Sequence, residues 1–306
     1  MTVTAEKREG DASTIPTSIT LLNETQIQDF DLKSASDLEA LTPNLYITRG
    51  GASTSNRAAM RGITSSMTGD PVMGFYLDGV YYGSGLDIGL FDVERVEVLR
   101  GPQGTLYGRN SEAGVVNVVT KKPGDEWEGS LSADVGTFNS YTGTAMLGGP
   151  LIDGRLGIRG NFRYHTTDGW FENQYDGSNE AGQEDNFDGR LSVIATPSDQ
   201  LELRLIYDGQ HYDSASYAPF APMDDSDMRH SVNVDDDGKA DKDADGLSLT
   251  ADYAWESMAL TSITSVRSED QTFANDIDFT PIDLMAMSIG SETRGVSQEL
   301  RLHSTD

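Results

Sequence analysis

The sequence predicts an antiparallel, up-and-down β-sheet of transmembrane-barrel type over its C-terminal part, preceded by a smaller domain with a strand–turn–strand core. Three observations lead there. Apolar residues alternate with polar ones in about eight segments between Gly129 and His303. The connections between those segments alternate between tight and long. The faces opposite the apolar ones carry arginines, which a packed apolar core would not accept.

The strands follow in order from Gly129. The segment "GRLGIRGNFRYH" puts Leu156, Ile158, Phe162 and Tyr164 on one face and Arg155, Arg159 and Arg163 on the other. "FDGRLSVIAT" repeats the pattern with Phe187, Leu191 and Val193, "LELRLIYDG" with Leu201, Leu203, Leu205 and Tyr207, and "LSLTADYAWE" with Leu247, Leu249, Tyr253 and Trp255. The segment Met258–Arg267 slips phase at Ile263. Tight turns are expected at "GTFNS", "GGPLIDG", "TPSDQ" and Glu256–Ser257, with long polar loops on the other rim. Strands of about ten residues with aromatic residues near their ends fit a membrane barrel. A soluble sandwich shares the alternation, and the three arginines on one strand face favour the barrel with a polar lumen.

Charge divides the chain in the same place. The formal charge of the 306 residues is −28. Residues 1–123 contribute −4 and residues 124–306 contribute −24. Three acidic segments, Asp168–Asp188, Tyr212–Gly246 and Glu269–Glu292, contribute −7, −7 and −6 of the latter. They are expected to be mobile outward loops, accessible to labelling at positions such as Ser178 and Ala240. So acidic a chain has no basic face for phosphate, which excludes nucleic acid as a partner. There is no cysteine, hence no disulfide or thiolate site. No apolar run approaches the roughly 20 residues of a membrane helix, and the N-terminus lacks the apolar core of a secretory signal.

The stretch "VERVEVLRGPQGTLYGRNSEAGVVNVVTKKP" (Val93–Pro123) decides the N-terminal domain. Its glycines first suggest a phosphate cradle. However, Gly101, Gly104 and Gly108 are followed by Arg109–Asn110 and then by the strand "AGVVNVVT", not by G-K-[ST] and a helix. What is left is strand, glycine-rich turn, strand. This resembles the plug domain of TonB-dependent outer-membrane receptors. Other motifs stand in the family's order: "TVTA" at Thr2–Ala5, similar to a TonB box and followed by "EKRE"; "MRGI" at Met60–Ile63; "VMGFYLDGVYYG" from Val72; and "SQELRLHS" near the C-terminus.

The resemblance implies a mixed α/β plug domain followed by an antiparallel transmembrane β-barrel. Residues 1–12 would be the TonB box and linker, 13–123 the plug, and 124–306 the N-terminal portion of the barrel. Family barrels have about 22 strands, so about eight make the barrel incomplete and the chain a fragment or one half of a split receptor. It further implies active import across the bacterial outer membrane and no enzymatic activity, with TonB, outer-membrane lipid and a small ligand, first of all a ferric siderophore, as partners. A vitamin, a glycan or a plant-derived aromatic is an alternative ligand.

Within that frame Thr2, Val3, Thr4 and Ala5 are expected to bind TonB as an added strand. Arg61 and Arg100 are expected to meet barrel carboxylates. Arg95, Gly62, Tyr107 and Gly114 join Gly101, Gly104 and Gly108 as plug structure, the glycines serving backbone geometry. Tyr81, Tyr82, Arg49 and Ser66 are candidates to face the ligand. His165, His211, His230 and His303 show no metal spacing, and no G-x-S-x-G elbow occurs. The reading from another class is a secreted calcium-binding adhesin or lectin. It rests on "DKDADG", where Asp241, Asp243 and Asp245 match the first half of an EF-hand loop, making Ca2+ in an extracellular loop the one candidate cofactor.

Overall fold

The computed structural model describes all residues except 1, 5–6, 8–9, 12–14, 49–56, 66–69, 84–85, 170, 216–230 and 305–306. The chain forms two compact units, Met1–Lys121 and Lys122–Asp306.

The first unit contains, in order, β1 (Thr2–Val3), β2 (Gly10–Asp11), β3 (Ile19–Asn23), α1 (Glu24–Asp29) and a 3-10 helix (Ala35–Ala40). These are followed by β4 (Leu45–Thr48), β5 (Arg57–Met60), β6 (Ile63–Thr64), β7 (Met73–Leu77), β8 (Val80–Tyr81), β9 (Val93–Arg100), α2 (Gly104–Tyr107) and β10 (Gly114–Thr120). Five of the strands make one sheet in the order β3-β9-β10-β7-β8, with β10 parallel to β7 and every other pairing antiparallel. β4, β5 and β6 make a second, small sheet.

Local chemistry explains the joints. Asn23 caps α1 in a reciprocal box with Gln26. Asp78 and Gly79 both have positive φ, 48° and 85°, and join β7 to β8 in the two-residue turn that suits twisted strands. The Asp78 carboxylate then accepts from the Thr120 N–H at 3.0 Å and the Thr120 hydroxyl at 2.6 Å, tying that turn to the end of β10. β7 is buried throughout and β10 nearly so, as expected of strands covered on both faces.

The second unit is one antiparallel sheet of eight strands in sequence order. They are β11 (Glu128–Val135), β12 (Tyr141–Ile152), β13 (Leu156–Thr167), then, past the short β14 (Glu172–Asn173), β15 (Glu184–Ser198) and β16 (Leu201–Ser214). After the short β17 (Ser231–Val232) come β18 (Lys239–Ala254), β19 (Met258–Asp276) and β20 (Ala286–Ser304). One face is an exposed apolar band that includes Leu131, Leu147, Phe162, Leu191, Leu205, Leu249, Val266 and Leu300. The other face is polar and cross-linked. Arg159 pairs with Glu128 across β12, Arg163 with Asp188 at 3.6 Å, Arg267 with Asp208 at 2.7 Å and Lys242 with Glu269 at 3.6 Å. Ile263 is buried on that polar face, and β19 runs past it without a register shift. The apparent slip is therefore one apolar side chain facing inward rather than a break in the strand.

The acidic segments differ from the expected loops. β16 continues to Ser214, β18 starts at Lys239, β19 reaches Asp276 and β20 starts at Ala286. Many of the carboxylates thus sit on paired strands. The first two connections are also joined, because β14 pairs in parallel with β17 and Asn173 donates to the Val234 carbonyl at 2.8 Å. Phe171, Ala181 and Val232 form a small core beside that pairing. Ala240 is fully buried and is not a labelling position.

Among the described residues β11 pairs only with β12 and β20 only with β19, so both edges of the sheet are open. Unpaired backbone at such edges is costly in lipid and adhesive in water. Refolded alone in detergent, this chain is expected to show β-type circular dichroism without a heat-modifiable band on a gel. A monodisperse, heat-modifiable monomer would contradict that expectation.

Candidate functional site

β9 places the chemistry of the first unit. Its sequence "VERVEVLR" puts Glu97 between Val96 and Val98, and all three are completely buried. A carboxylate there needs donors on every side. Arg95 supplies one from its own strand, its Nε lying 2.8 Å from Glu97 Oε1. Asn117, directly opposite on β10, donates its Nδ2 to Oε2 at 3.4 Å. The other donors come from the N-terminal segment: the Thr4 N–H at 2.8 Å and the Thr4 hydroxyl at 3.1 Å from each oxygen. Burial by itself would lower the pKa of Arg95. The hydrogen bond and charge of Glu97, with the charge of Glu94, outweigh burial and raise it, so the guanidinium is held charged.

The segment expected to be a free strand donor is therefore docked. Thr2 and Val3 pair with Asp11 and Gly10. Val3 is fully buried in a cluster with Tyr76, Leu99, Tyr107 and Val115. Ala5 lies outside the described residues.

The arginine–glycine motif forms a corner. Gly101 has φ +109°, a conformation that favours glycine, and the Arg61 guanidinium lies against it, one nitrogen 2.9 Å from where a Cβ would stand. Arg61 itself, followed by Gly62, adopts φ 53°. Among the described residues neither Arg61 nor Arg100 pairs with a carboxylate, and the Arg100 Nε is buried without a partner. Gly114 is required by close approach: a Cβ would lie 2.6 Å from the Leu99 carbonyl and 2.8 Å from Met60 sulfur. Gly108 ends α2 with φ +80°. Gly104 has neither a positive φ nor a close neighbour, so the backbone role expected of it is not seen.

Tyr81 and Tyr82 separate. Tyr82 is buried, and its N–H donates to the Phe75 carbonyl. Tyr81 is half-buried. Its hydroxyl accepts from Asn110 Nδ2 at 2.7 Å, and the Arg109 guanidinium lies 5.6 Å from its ring centroid. Burial raises the Tyr81 pKa, against the Asn110 hydrogen bond and the Arg109 charge, so the phenol stays neutral. Arg49 and Ser66 lie outside the described residues.

Asp241, Asp243 and Asp245 do not make the loop expected for calcium. They lie at alternate positions of β18, between β16 and β19. Asp241 pairs with Lys239 at 2.5 Å, Asp243 with His211 at 2.6 Å, and Asp245 accepts from the Tyr207 hydroxyl at 2.5 Å. Among the described residues no three acidic or imidazole groups are grouped to hold a metal ion.

Sequence reasoning missed Glu97, Asn117 and Tyr76. The available signal was Glu97 itself, a lone carboxylate inside the apolar run "VEVL".

Residues 11–115 match the model of the TonB-dependent receptor plug domain. Residues 11–115 are thus a TonB-dependent receptor plug domain. The chain is 32% identical over 203 residues to the pesticin receptor of Yersinia pestis, covering 65% of this chain and 30% of that protein. It is 32% identical over 167 residues to the metal-pseudopaline receptor of Pseudomonas aeruginosa, covering 52% of this chain and 22% of that one. The crystal structure of the ferric yersiniabactin uptake receptor FyuA from Yersinia pestis superposes with a TM-score of 0.86 at 24% identity, over 96% of this chain and 46% of FyuA. The ferripyoverdine receptor of Pseudomonas aeruginosa does so with a TM-score of 0.81 at 18% identity, over 99% and 42%. The chain thus matches about 30% of the length of the pesticin receptor.

Replacing Gly114 with valine drives side-chain atoms into the Leu99 carbonyl and Met60. The substitution is expected to destabilise the plug by at least the 1–3 kcal/mol typical of overpacking, read as a lower denaturation midpoint by urea titration. Gly104→Ala, with nothing nearby, is expected to leave that midpoint unchanged.

Proposed function

We propose that this receptor chain serves TonB-coupled import of a chelated metal ion, of the ferric-siderophore class, across the bacterial outer membrane. The observation that carries the proposal is the succession, in one chain, of a plug domain with an N-terminal "TVTA" segment and an eight-stranded sheet whose exposed face is apolar. The apolar band suits outer-membrane lipid. The relatives named for ferric pyoverdine and for metal-pseudopaline support the ligand class. The role is that of a receptor, not an enzyme. The adhesin reading loses its basis, because the aspartates that motivated it are strand residues engaged with Lys239, His211 and Tyr207.

Tyr81, with Arg109 over its ring and Asn110 on its hydroxyl, is the described plug residue best suited to a polar, planar, anionic chelate. The coupling element is Thr2–Ala5, a segment without glycine or proline that can extend as a strand on the edge of a TonB sheet.

In cells carrying the complete receptor, Val3→Pro removes a backbone donor and fixes φ. It is expected to abolish TonB-dependent uptake of radiolabelled ferric chelate while cell-surface binding of the chelate persists. Undiminished uptake would remove the segment from coupling. TonB-dependent uptake of a vitamin or glycan in place of any metal chelate would keep the coupling and overturn the ligand class.

A further inference from the structure

The second unit begins with a connecting segment that is held on the sheet. From Lys122 to Trp127 the chain crosses the tight-turn end of the eight strands on three contacts. Lys122 Nζ lies 2.6 Å from Glu202 Oε1, near the start of β16. Pro123 lies on Gly157 of β13, where a Cβ would stand 2.8 Å from the Pro123 Cβ. Trp127 lies on Gly149 of β12, where a Cβ would stand 2.6 Å from Trp127 Cδ2 and 2.8 Å from its Cα. Neither glycine has a positive φ, so each position uses the missing side chain and not a special backbone conformation. β12 and β13 thus leave bare backbone under the passing chain. The contacts follow the order of the sheet, from β16 past β15 to β13 and β12, and the chain then enters β11.

The residue types suit such a crossing. Pro123 has no N–H to satisfy and a fixed φ, and it keeps Lys122 extended. In extended chain, neighbouring side chains point to opposite sides. Lys121, the last residue of the first unit, pairs with Glu24 of that unit, whereas Lys122 pairs with Glu202 of the sheet. The lysine pair is divided between the two units at their boundary in the sequence. Lys122 and Glu202 are partly exposed, and such a pair contributes little by itself. The two glycine positions carry the hold, and the ion pair sets the direction of the crossing.

We infer that residues 122–127 are a stationary anchor, a strap that stays with the sheet while the first unit is displaced. Gly149, Gly157 and Glu202 are its positioning residues. The inference rests on the reading of the chain as a TonB-coupled importer, in which the first unit is displaced to open a path. Load applied at the N-terminus travels along the chain to the first point held elsewhere. Within the second unit that point is Lys122. Displacement therefore ends at Lys121, and the first unit keeps a fixed point from which to return.

These 306 residues contain no cysteine, which suits site-directed labelling. In the purified complete receptor, nitroxides on cysteines introduced at the exposed Asp125 and Asp199 report the strap against the β15–β16 turn by double electron–electron resonance. Lys122→Ala combined with Pro123→Gly is expected to broaden the distance distribution about twofold, because the ring contact is lost and φ is freed. Glu202→Gln leaves the sequence of the strap intact and is expected to broaden it less. It covers the case in which the double variant does not fold. Equal widths with and without these changes overturn the strap. In cells, Lys122→Cys with Glu202→Cys is cross-linked by a short bismaleimide, with TonB present or deleted. Equal yields are expected, and a yield that falls when TonB is present overturns the stationary anchor. A cysteine at the buried Leu22 of the first unit separates the two layers. It is expected to react faster with a maleimide when TonB is present. If it does not, the coupling reading fails and the anchoring role with it, while the strap is still decided by the resonance widths.

Discussion

A strand that crosses lipid can leave no backbone amide or carbonyl without a partner, because the hydrocarbon offers none. That requirement governs the second unit. β12, β13, β15, β16, β18 and β19 are each paired along both edges, and once pairing is fixed, the pleat sends alternate side chains to opposite faces. Leucines and aromatic residues then cover one face, while Arg159, Arg163, Lys242 and Arg267 stand on the other and find carboxylates there. The long hairpins, the alternation and the ion-paired face are consequences of one hydrogen-bonding condition.

The first unit solves a different problem with the same strand chemistry. β9 lies between β3 and β10 and carries a carboxylate into a region from which water is excluded. Four donating groups around Glu97 make that tolerable, and two of them belong to Thr4, a residue 93 positions away in the chain. Structural need and segment docking are met by one group. The arginine–glycine corner at Arg61 and Gly101 and the close packing of Gly114 on Leu99 then set the turn that brings β10 against β9.

Much of this was legible in the sequence. The eight strands were readable from period-two patterning because most positions on the apolar face are leucine, valine or aromatic, Ser262, Thr264 and Gln298 being polar exceptions on β19 and β20. The upper ends of the strands were not. Beyond the apolar band the outward face meets water, so Asp241, Asp243 and Asp245 occupy the positions that Leu247 and Leu249 occupy lower on β18. The period is unchanged, but the polarity is inverted, and the stretch reads as an acidic loop. The plug was legible as a motif, whereas the docking of Val3 and Thr4 was not. A contact between residues 4 and 97 leaves no local trace except an unexplained glutamate among valines. Tyr81 and Tyr82 look alike in sequence, and only the pairing of Tyr81 with Tyr76 shows that neighbouring side chains take opposite sides.

The length of the last hairpin changes how the acidic rim must behave. β19 and β20 each have 19 residues, whereas a tilted strand needs only about 9–11 to cross the bilayer. The surplus stands above the band as ladder-paired backbone. Carboxylates on a slack loop relieve mutual repulsion by drifting apart, but on a hydrogen-bonded lattice their spacing is set by the pleat. Compensation must then come from the solution, as a layer of small cations that thins and thickens with ionic strength on the scale of the Debye length. The rim is in effect a stiff polyelectrolyte collar, and any solute approaching it exchanges with that ion layer before it meets protein.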